Sequence, residues 1–225
     1  MAKLILMRHG KSAWNQKNIF TGWVDIPLDQ AGIVEAIEGG KTMEKERVDI
    51  IFMSTLIRAQ MTCMIAMAYN KQGKVPRIFH PEDQKLHKGW ERIHSDEAEN
   101  STIPTIIAWQ LNERMYGELQ GQDKDFIKEK FGDEQFKAWR RGFDTPPPKG
   151  ESLQMTAQRA IPYFQDVIFK HIENGKNVFI CAHGNSLRSI VMFLEGLTKE
   201  EVIKLEIPTG APLIYQYIDG SFVKS

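Results

Sequence analysis

Two patterns of apolar positions alternate along the chain. Short apolar runs, of strand length, are separated by stretches in which apolar residues recur at helical spacing. Lys3–Met7 is the first short run and predicts a strand. Asp29 is placed to cap a helix that continues through Ile33, Ala36 and Ile37 toward Met43. Asp49–Met53 predicts a second strand, and Leu56–Tyr69 has the length and composition of a helix whose Met and Ile positions face a core. Arg77–Phe79 is a weak strand, Asn177–Ala182 a strong one, and Asn185–Leu194 the helix after it. Ala211–Ile218, rich in Ile and Tyr, is the last strand. Strands alternating with helices imply an α/β fold: a mostly parallel central sheet with helices on both faces.

Two segments depart from this rhythm. Residues 80–102 are strongly charged and poor in apolar positions, which predicts a surface insertion. The run Thr145-Pro146-Pro147-Pro148-Lys149-Gly150 reads as a stiff loop ahead of a helix over Leu153–His171. Neither is followed by a core of its own, so residues 1–225 are expected to form one domain. The sequence shows no internal repeat and no low-complexity tract.

Charge narrows the function. The chain carries 29 Lys and Arg against 29 Asp and Glu, a formal net charge of +0. Nucleic acid and anionic membranes attract proteins with surplus positive charge, so neither is expected as a partner. No stretch approaches the roughly 18 apolar residues that span a bilayer. The apolar run before Arg8 is shorter than a signal peptide requires. Cys63 and Cys181 stand far apart, in no metal-like spacing, and are read as reduced, buried thiols of a cytoplasmic protein.

Candidate chemistry sits where strands end. The first strand runs into Arg8-His9-Gly10 and the strong late strand into His183-Gly184-Asn185. Each delivers a histidine to the carboxyl edge of the sheet, where open α/β folds bind ligands. Two such histidines can face one another across a pocket despite their separation in sequence. A third strand end, Ser54-Thr55-Leu56-Ile57-Arg58, opens a helix whose first turn carries Arg58. Its backbone N–H groups suit an anion, and Arg8 could grip the same anion with its planar fork.

Other motifs fail on inspection. Gly10-Lys11-Ser12 resembles the end of a phosphate-binding P-loop, but Ile5 stands where that pattern requires glycine. Gly184-Asn185-Ser186 resembles a serine-hydrolase elbow, but Arg188 replaces its second glycine. His80, His87 and His94 recur every seven residues among Lys, Glu and Asp, which favours a solvated helix face over a zinc site.

Longer blocks carry a resemblance. Arg8-His9-Gly10-Lys11-Ser12-Ala13-Trp14-Asn15, then Phe20-Thr21-Gly22-Trp23, is similar to the histidine phosphatase superfamily. Within it, Phe20-Thr21-Gly22-Trp23, Leu111-Asn112-Glu113-Arg114-Met115-Tyr116-Gly117 and Trp139-Arg140-Arg141-Gly142-Phe143 together resemble the 2,3-bisphosphoglycerate-dependent phosphoglycerate mutases, with Ile207-Pro208-Thr209-Gly210 a further match. The similarity runs in order over nearly the whole chain.

That resemblance implies an isomerase of glycolysis and gluconeogenesis that interconverts 3-phosphoglycerate and 2-phosphoglycerate. It implies His9 as the nucleophile that carries the phosphoryl group, with Arg8, Arg58 and His183 around it, and Glu113 as general acid/base. The expectation for Glu113 is a raised pKa, since phosphates disfavour a neighbouring carboxylate. Arg114, Tyr116, Lys124, Arg140 and Arg141 are implied to hold the substrate's carboxylate and second phosphate. Gly10, Lys11, Ser12, Asn15, Thr21, Gly22, Met115, Gly184 and Asn185 complete the implied binding set. The implied cofactor is 2,3-bisphosphoglycerate as priming donor, with no metal, and the implied assembly is a homodimer.

Three departures from the family stand out. Lys11 occupies a position usually acidic, Met115 replaces a usual histidine, and the chain ends soon after Tyr217, where longer members carry a tail over the site. A shorter tail would admit water and favour hydrolysis of phosphohistidine. The alternative reading is therefore a histidine phosphatase acting on bisphosphoglycerate or another phosphorylated metabolite. A phosphoprotein-binding module without turnover is a third.

Overall fold

The computed structural model describes residues 2–79 and 92–225. Its strands are β1 (Ala2–Arg8), β2 (Ile50–Met53), β3 (Val75–Phe79), β4 (Thr102–Ile107), β5 (Val178–Ala182), β6 (Pro212–Ile218) and β7 (Ser221–Lys224). They form one seven-stranded sheet in the order β3-β4-β2-β5-β1-β6-β7. The first five in that order run parallel, and β6 and β7 are antiparallel additions at one side. This is the mostly parallel α/β sheet that the alternation of runs predicts.

The sheet's period of two explains its burial on both faces. Along β1, Ala2, Leu4 and Leu6 join one apolar cluster, while Ile5 and Met7 join the cluster on the opposite face. Along β5, Val178 and Ile180 go with the first, Phe179 and Cys181 with the second. A third cluster, Phe20, Leu119, Ile127, Phe136 and Trp139, lies apart from the sheet.

The helices are α1 (Ala13–Gln16), α2 (Gln30–Thr42), α3 (Ile57–Met67), α4 (Asp96–Asn100), α5 (Lys124–Phe131), α6 (Asp133–Arg141), α7 (Leu153–Tyr163), α8 (Phe169–Glu173), α9 (Gly184–Glu195) and α10 (Lys199–Val202). Asp29 caps α2 as expected, its Oδ1 accepting from the Gly32 N–H at 2.7 Å. The single helix expected over Leu153–His171 is instead α7, a π-turn at Phe164–Ile168, and α8. Pro162, inside α7, has no N–H to continue the ladder, and the wider turn follows directly.

Four further elements, β4, β7, α5 and α6, lie outside the predicted set. β4 begins at Thr102, inside the expected insertion, and occupies the sheet between β3 and β2. β6 turns back through Asp219-Gly220, both at positive φ, into β7. α5 and α6 are short and polar, with Gly132 at φ 82° between them. Most of the insertion expected at 80–102, including His80 and His87, lies outside the described residues. Of its described part, His94 is exposed and precedes α4 rather than sharing a helix face.

Register is what positions the site. β1 and β5 are neighbours, with Met7 opposite Cys181 and Arg8 opposite Ala182. The next residues, His9 and His183, therefore leave adjacent strands at the same edge. β2 flanks β5 on its other side, with Met53 opposite Cys181, so Ser54 emerges beside them.

Candidate active site

His9 and His183 are both buried, and their ring centroids lie 4.8 Å apart. The Nδ1–H of His9 donates to the carbonyl of Gly10 at 2.6 Å. That bond fixes the tautomer and leaves Nε2 with its lone pair, the requirement for an imidazole nucleophile. His183 is held from its other nitrogen: Nε2 pairs with the Ser54 hydroxyl at 2.6 Å, while the buried Nδ1 has no partner among the described residues. Burial, then the charges of Arg58 and Arg8, hold the His9 pKa well below its usual value. Burial, Arg58 and His9 itself do the same for His183. Both rings are neutral at pH 7.

Glu113 reaches the same place from the loop after β4. Its Oε1 accepts from the backbone N–H groups of Arg114 (2.8 Å) and Asn185 (3.1 Å) and from the Asn185 side chain (2.8 Å). Its Oε2 lies against Gly184, where a Cβ would come within 3.4 Å of the Arg8 guanidinium and 3.7 Å of that oxygen. The raised pKa expected for Glu113 is not what the protein's own groups produce. Burial pushes it up, but the Arg114 N–H, Arg8, Asn185 and Arg58 outweigh burial, and its pKa is lowered. Nor does Glu113 pair with the Arg114 side chain, which donates instead to the Tyr116 hydroxyl and the Arg140 carbonyl.

The loop that carries Glu113 is shaped by Arg159, which sequence reasoning missed. Its guanidinium donates to the carbonyls of Gln110, Asn112 and Glu113 and pairs with both oxygens of Glu151. Trp23 adds an indole N–H to the Glu113 carbonyl.

Cations surround the histidines. Arg58 is buried, and its fork donates to the carbonyls of Gly22 and Val24. Burial draws its pKa down to about 10, against the pull of Glu113 and Asp25, so it stays charged. Arg8 donates to the Ile207 carbonyl, and its buried Nε has no partner among the described residues. Lys124 donates to the Ile19 carbonyl above the Phe20 ring. The start of α3 is not the open anion site that the sequence suggests. Asp25 accepts from Ile57 N, Ser54 Oγ from Leu56 N, and Asn112 from Thr55 N, so those three N–H groups are already used.

A pocket of about 640 Å³ opens at this edge. Of the sequence-derived site residues, Arg8, His9, Lys11, Asn15, Thr21, Gly22, Arg58, Glu113, Tyr116, Lys124, Arg140, Arg141, Gly184 and Asn185 line it. Gly10, Ser12, Arg114, Met115 and His183 do not, and each has another place: His183 is buried beside the His9 ring. Gly10 packs where a Cβ would fall 2.2 Å from the Gly32 carbonyl oxygen, and its N–H bonds Thr62. Ser12 caps α1. Arg114 lies behind Tyr116, stacked on its ring. Met115 accepts the Gly117 N–H on its sulfur.

The pocket also contains Arg188, Glu206 and Glu35, none of which sequence reasoning placed there. Arg188 lies one helical turn after Gly184, a signal present in the sequence. Glu206 only adjoins the Ile207-Pro208-Thr209-Gly210 block, which says nothing of a carboxylate, and Glu35 adjoins no motif. Seven cations, Arg8, Lys11, Arg58, Lys124, Arg140, Arg141 and Arg188, face three carboxylates here, a net of four positive charges. The buried partnerless atoms Arg8 Nε, Thr21 Oγ1 and His183 Nδ1 belong to residues of this site. Hydrogen-bond donors without acceptors, in a basic well, call for a multiply charged anion.

One donor atom each from His9, Glu113 and His183 lies within 4.8 Å of the others, a set of the kind that can ligate a metal ion. The guanidiniums of Arg8 and Arg58 oppose a cation at that point and favour an anion.

Comparison with known proteins agrees with this chemistry. The profile of the histidine phosphatase superfamily (branch 1) matches residues 4–82 and 93–224. A 2,3-bisphosphoglycerate-dependent phosphoglycerate mutase of Protochlamydia amoebophila is 57% identical over 100% of this chain and 99% of its own length. One from Chlamydia muridarum is 52% identical over 100% of this chain and 98% of its own. A solved structure, Bacillus stearothermophilus YhfR, superposes with a TM-score of 0.76 at 22% identity, covering 100% of this chain and 96% of that one, which shows a shared fold. The chain belongs to the 2,3-bisphosphoglycerate-dependent phosphoglycerate mutases of the histidine phosphatase superfamily.

Proposed function

We propose that this site performs the reaction for which its relatives are named, the interconversion of 3-phosphoglycerate and 2-phosphoglycerate through phospho-His9. The observation that carries the reading is the pairing of one free histidine Nε2, flanked by Arg8, Arg58 and His183, with a second group of cations across the same pocket. A phosphatase needs the first group. Only a substrate with two anionic ends uses both.

The steps follow from the groups present. His9 holds the phosphoryl group on Nε2, and Arg8, Arg58 and the Nδ1–H of His183 stabilise the charge on its equatorial oxygens. Glu113, ionised and with Oε2 available, accepts the proton of the 2-hydroxyl of 3-phosphoglycerate as that oxygen attacks phosphorus and the N–P bond breaks. The pocket then holds 2,3-bisphosphoglycerate, with Tyr116, Lys124, Arg140 and Arg141 on its distal groups. After the bisphosphate reorients, His9 attacks the 3-phosphoryl group and Glu113 returns its proton to the departing oxygen. 2-Phosphoglycerate leaves and phospho-His9 is restored. A trace of 2,3-bisphosphoglycerate primes the first turnover, and Asn15, Thr21, Gly22 and Asn185 add neutral donors.

This reaction gives the protein a cytoplasmic place in glycolysis and gluconeogenesis. Consistent with that, no helix of the described residues is long and apolar enough to cross a membrane. The assay is incubation with 3-phosphoglycerate, with and without priming 2,3-bisphosphoglycerate, while 2-phosphoglycerate and free phosphate are followed. The expected product is 2-phosphoglycerate with a strong priming dependence, and His9→Ala is expected to abolish acid-labile protein phosphate. Free phosphate as the main product would refute the reading.

A further inference from the structure

Glu206, in the segment between α10 and β6, places a carboxylate on the pocket wall. One oxygen meets Nη1 of Arg141 on α6 at 2.7 Å, and the other meets Nη2 of Arg188 on α9 at 3.3 Å. The chain thus supplies, between two pocket guanidiniums, the contacts that a carboxylate or phosphate of a ligand would make. The two sides of this bridge are not equally fixed. Arg188 is nearly buried and keeps two other bonds, from Nε to the Leu205 carbonyl at 2.7 Å and from Nη1 to Asn185 Oδ1 at 3.4 Å. Glu206 is 64% exposed, and exposed ion pairs are weak. Burial raises its pKa, but the bond and charge of Arg141, with Arg188, outweigh this and keep it ionised. A group that is charged, exposed and loosely held can swing into water while Arg188 stays in place.

We propose that Glu206 is a displaceable counter-ion, competing with the distal anionic group of the substrate for Arg141 and Arg188 and so setting how tightly the pocket holds a bisphosphate relative to a monophosphate. The identity of that substrate rests on the reaction proposed above; the competition itself does not. A second phosphoryl group adds about 1.5 to 2 negative charges. Release of Arg141 and Arg188 therefore matters more for the bisphosphate than for either phosphoglycerate. In this arrangement Glu206 limits retention of the bisphosphate and helps product leave.

The opposite role makes the opposite prediction. If Glu206 only held Arg141 and Arg188 in position, removing its charge would loosen them and weaken anion binding. The test compares wild type, Glu206→Gln and Glu206→Asp in two measurements. The first is calorimetric titration with inorganic pyrophosphate, a polyanion that does not require mutase chemistry. The second is steady-state turnover, giving KM for 3-phosphoglycerate and the half-saturating concentration of priming 2,3-bisphosphoglycerate. Glu206→Gln is expected to bind pyrophosphate about 5-fold tighter at low salt, with the gain shrinking as ionic strength rises. It should lower the priming concentration more than KM, and kcat should not rise. Glu206→Asp, which keeps the charge, should stay near wild type. Unchanged or weaker pyrophosphate binding by Glu206→Gln would overturn the proposal. Tighter binding in a protein that makes no 2-phosphoglycerate would instead overturn the reaction and leave the competition standing.

Discussion

Arg159 offers the sharpest test of how the site is built. It does not itself line the pocket, yet it fixes the loop that carries Glu113 by donating to three of that loop's carbonyls. Its charge is matched by Glu151 through two bonds of 2.8 and 2.9 Å, with the side chains only 9% and 18% exposed. Breaking a buried pair by removing one partner costs about 3–5 kcal/mol, because the other charge is left without compensation. For a chain of this size each kcal/mol lowers Tm by roughly 2–4 °C, so Arg159→Met should lose on the order of 10 °C. Arg159→Lys keeps the charge beside Glu151 but not the fork that spans three carbonyls. It should recover about half of the stability.

Activity should separate from stability in this pair. A catalytic group displaced by about 1 Å can lose on the order of 100-fold in rate. Both variants lose the span that holds Glu113, so both should lose kcat to a similar extent, with KM for 3-phosphoglycerate changing little because the cations remain. The measurements are thermal unfolding and steady-state turnover at 15 °C, well below either transition. An Arg159→Lys protein with wild-type kcat would refute the reasoning, as would a loss of activity that merely follows the unfolded fraction.

Two further outcomes follow from the same geometry. His9 and His183 have folded pKa values well below the unfolded value of about 6.5, so as pH falls through that value the unfolded chain binds protons that the folded one does not. Stability should therefore fall by up to about 1.4 kcal/mol per pH unit for each ring, from about pH 6.5 down toward the folded values, and His183→Asn should remove roughly half of that slope in urea titrations; an unchanged slope would contradict it. Gly32→Ala should destabilise by about 1–3 kcal/mol despite alanine's better helix propensity, because its Cβ would fall 2.0 Å from the Lys11 carbonyl oxygen. An equal or higher Tm would show that the α2 contact with the His9–Lys11 turn can yield.

What the sequence made legible was what local pattern determines. The strand ends at His9, Ser54 and His183 were readable because apolar runs stop there, and the sheet order then brings them together. The hairpin at Asp219-Gly220 carried a signal too, since that dipeptide suits a turn with two positive φ values. β4 was hidden by the charged residues before it, although Thr102–Ile107 is rich in the β-branched residues that favour strands, and it takes its place between β3 and β2. Arg159 and Glu206 were illegible for a different reason. Their partners lie on carbonyls and side chains distant in sequence or on other elements, and such contacts leave no periodicity or spacing.

The same contacts explain how a chain of zero net charge builds a basic well. A buried guanidinium is usually matched by a carboxylate, which cancels the field that a ligand would feel. Here the inner cations are oriented by main-chain carbonyls instead: Arg58 by Gly22 and Val24, Arg8 by Ile207, Lys124 by Ile19, Arg114 by Arg140. A carbonyl dipole satisfies N–H donors and fixes their direction without removing a unit of charge. Carboxylates meet pocket cations where side chains are more exposed, at Glu35 with Lys11 and at Glu206 with Arg141. Glu113 is the exception that tests this logic. It is the buried carboxylate among these cations, and its Oε1 is engaged by three N–H groups while Oε2 is left to exchange a proton. Charge is thus conserved at the centre for a polyanion and compensated at the rim, where a competing carboxylate can be displaced.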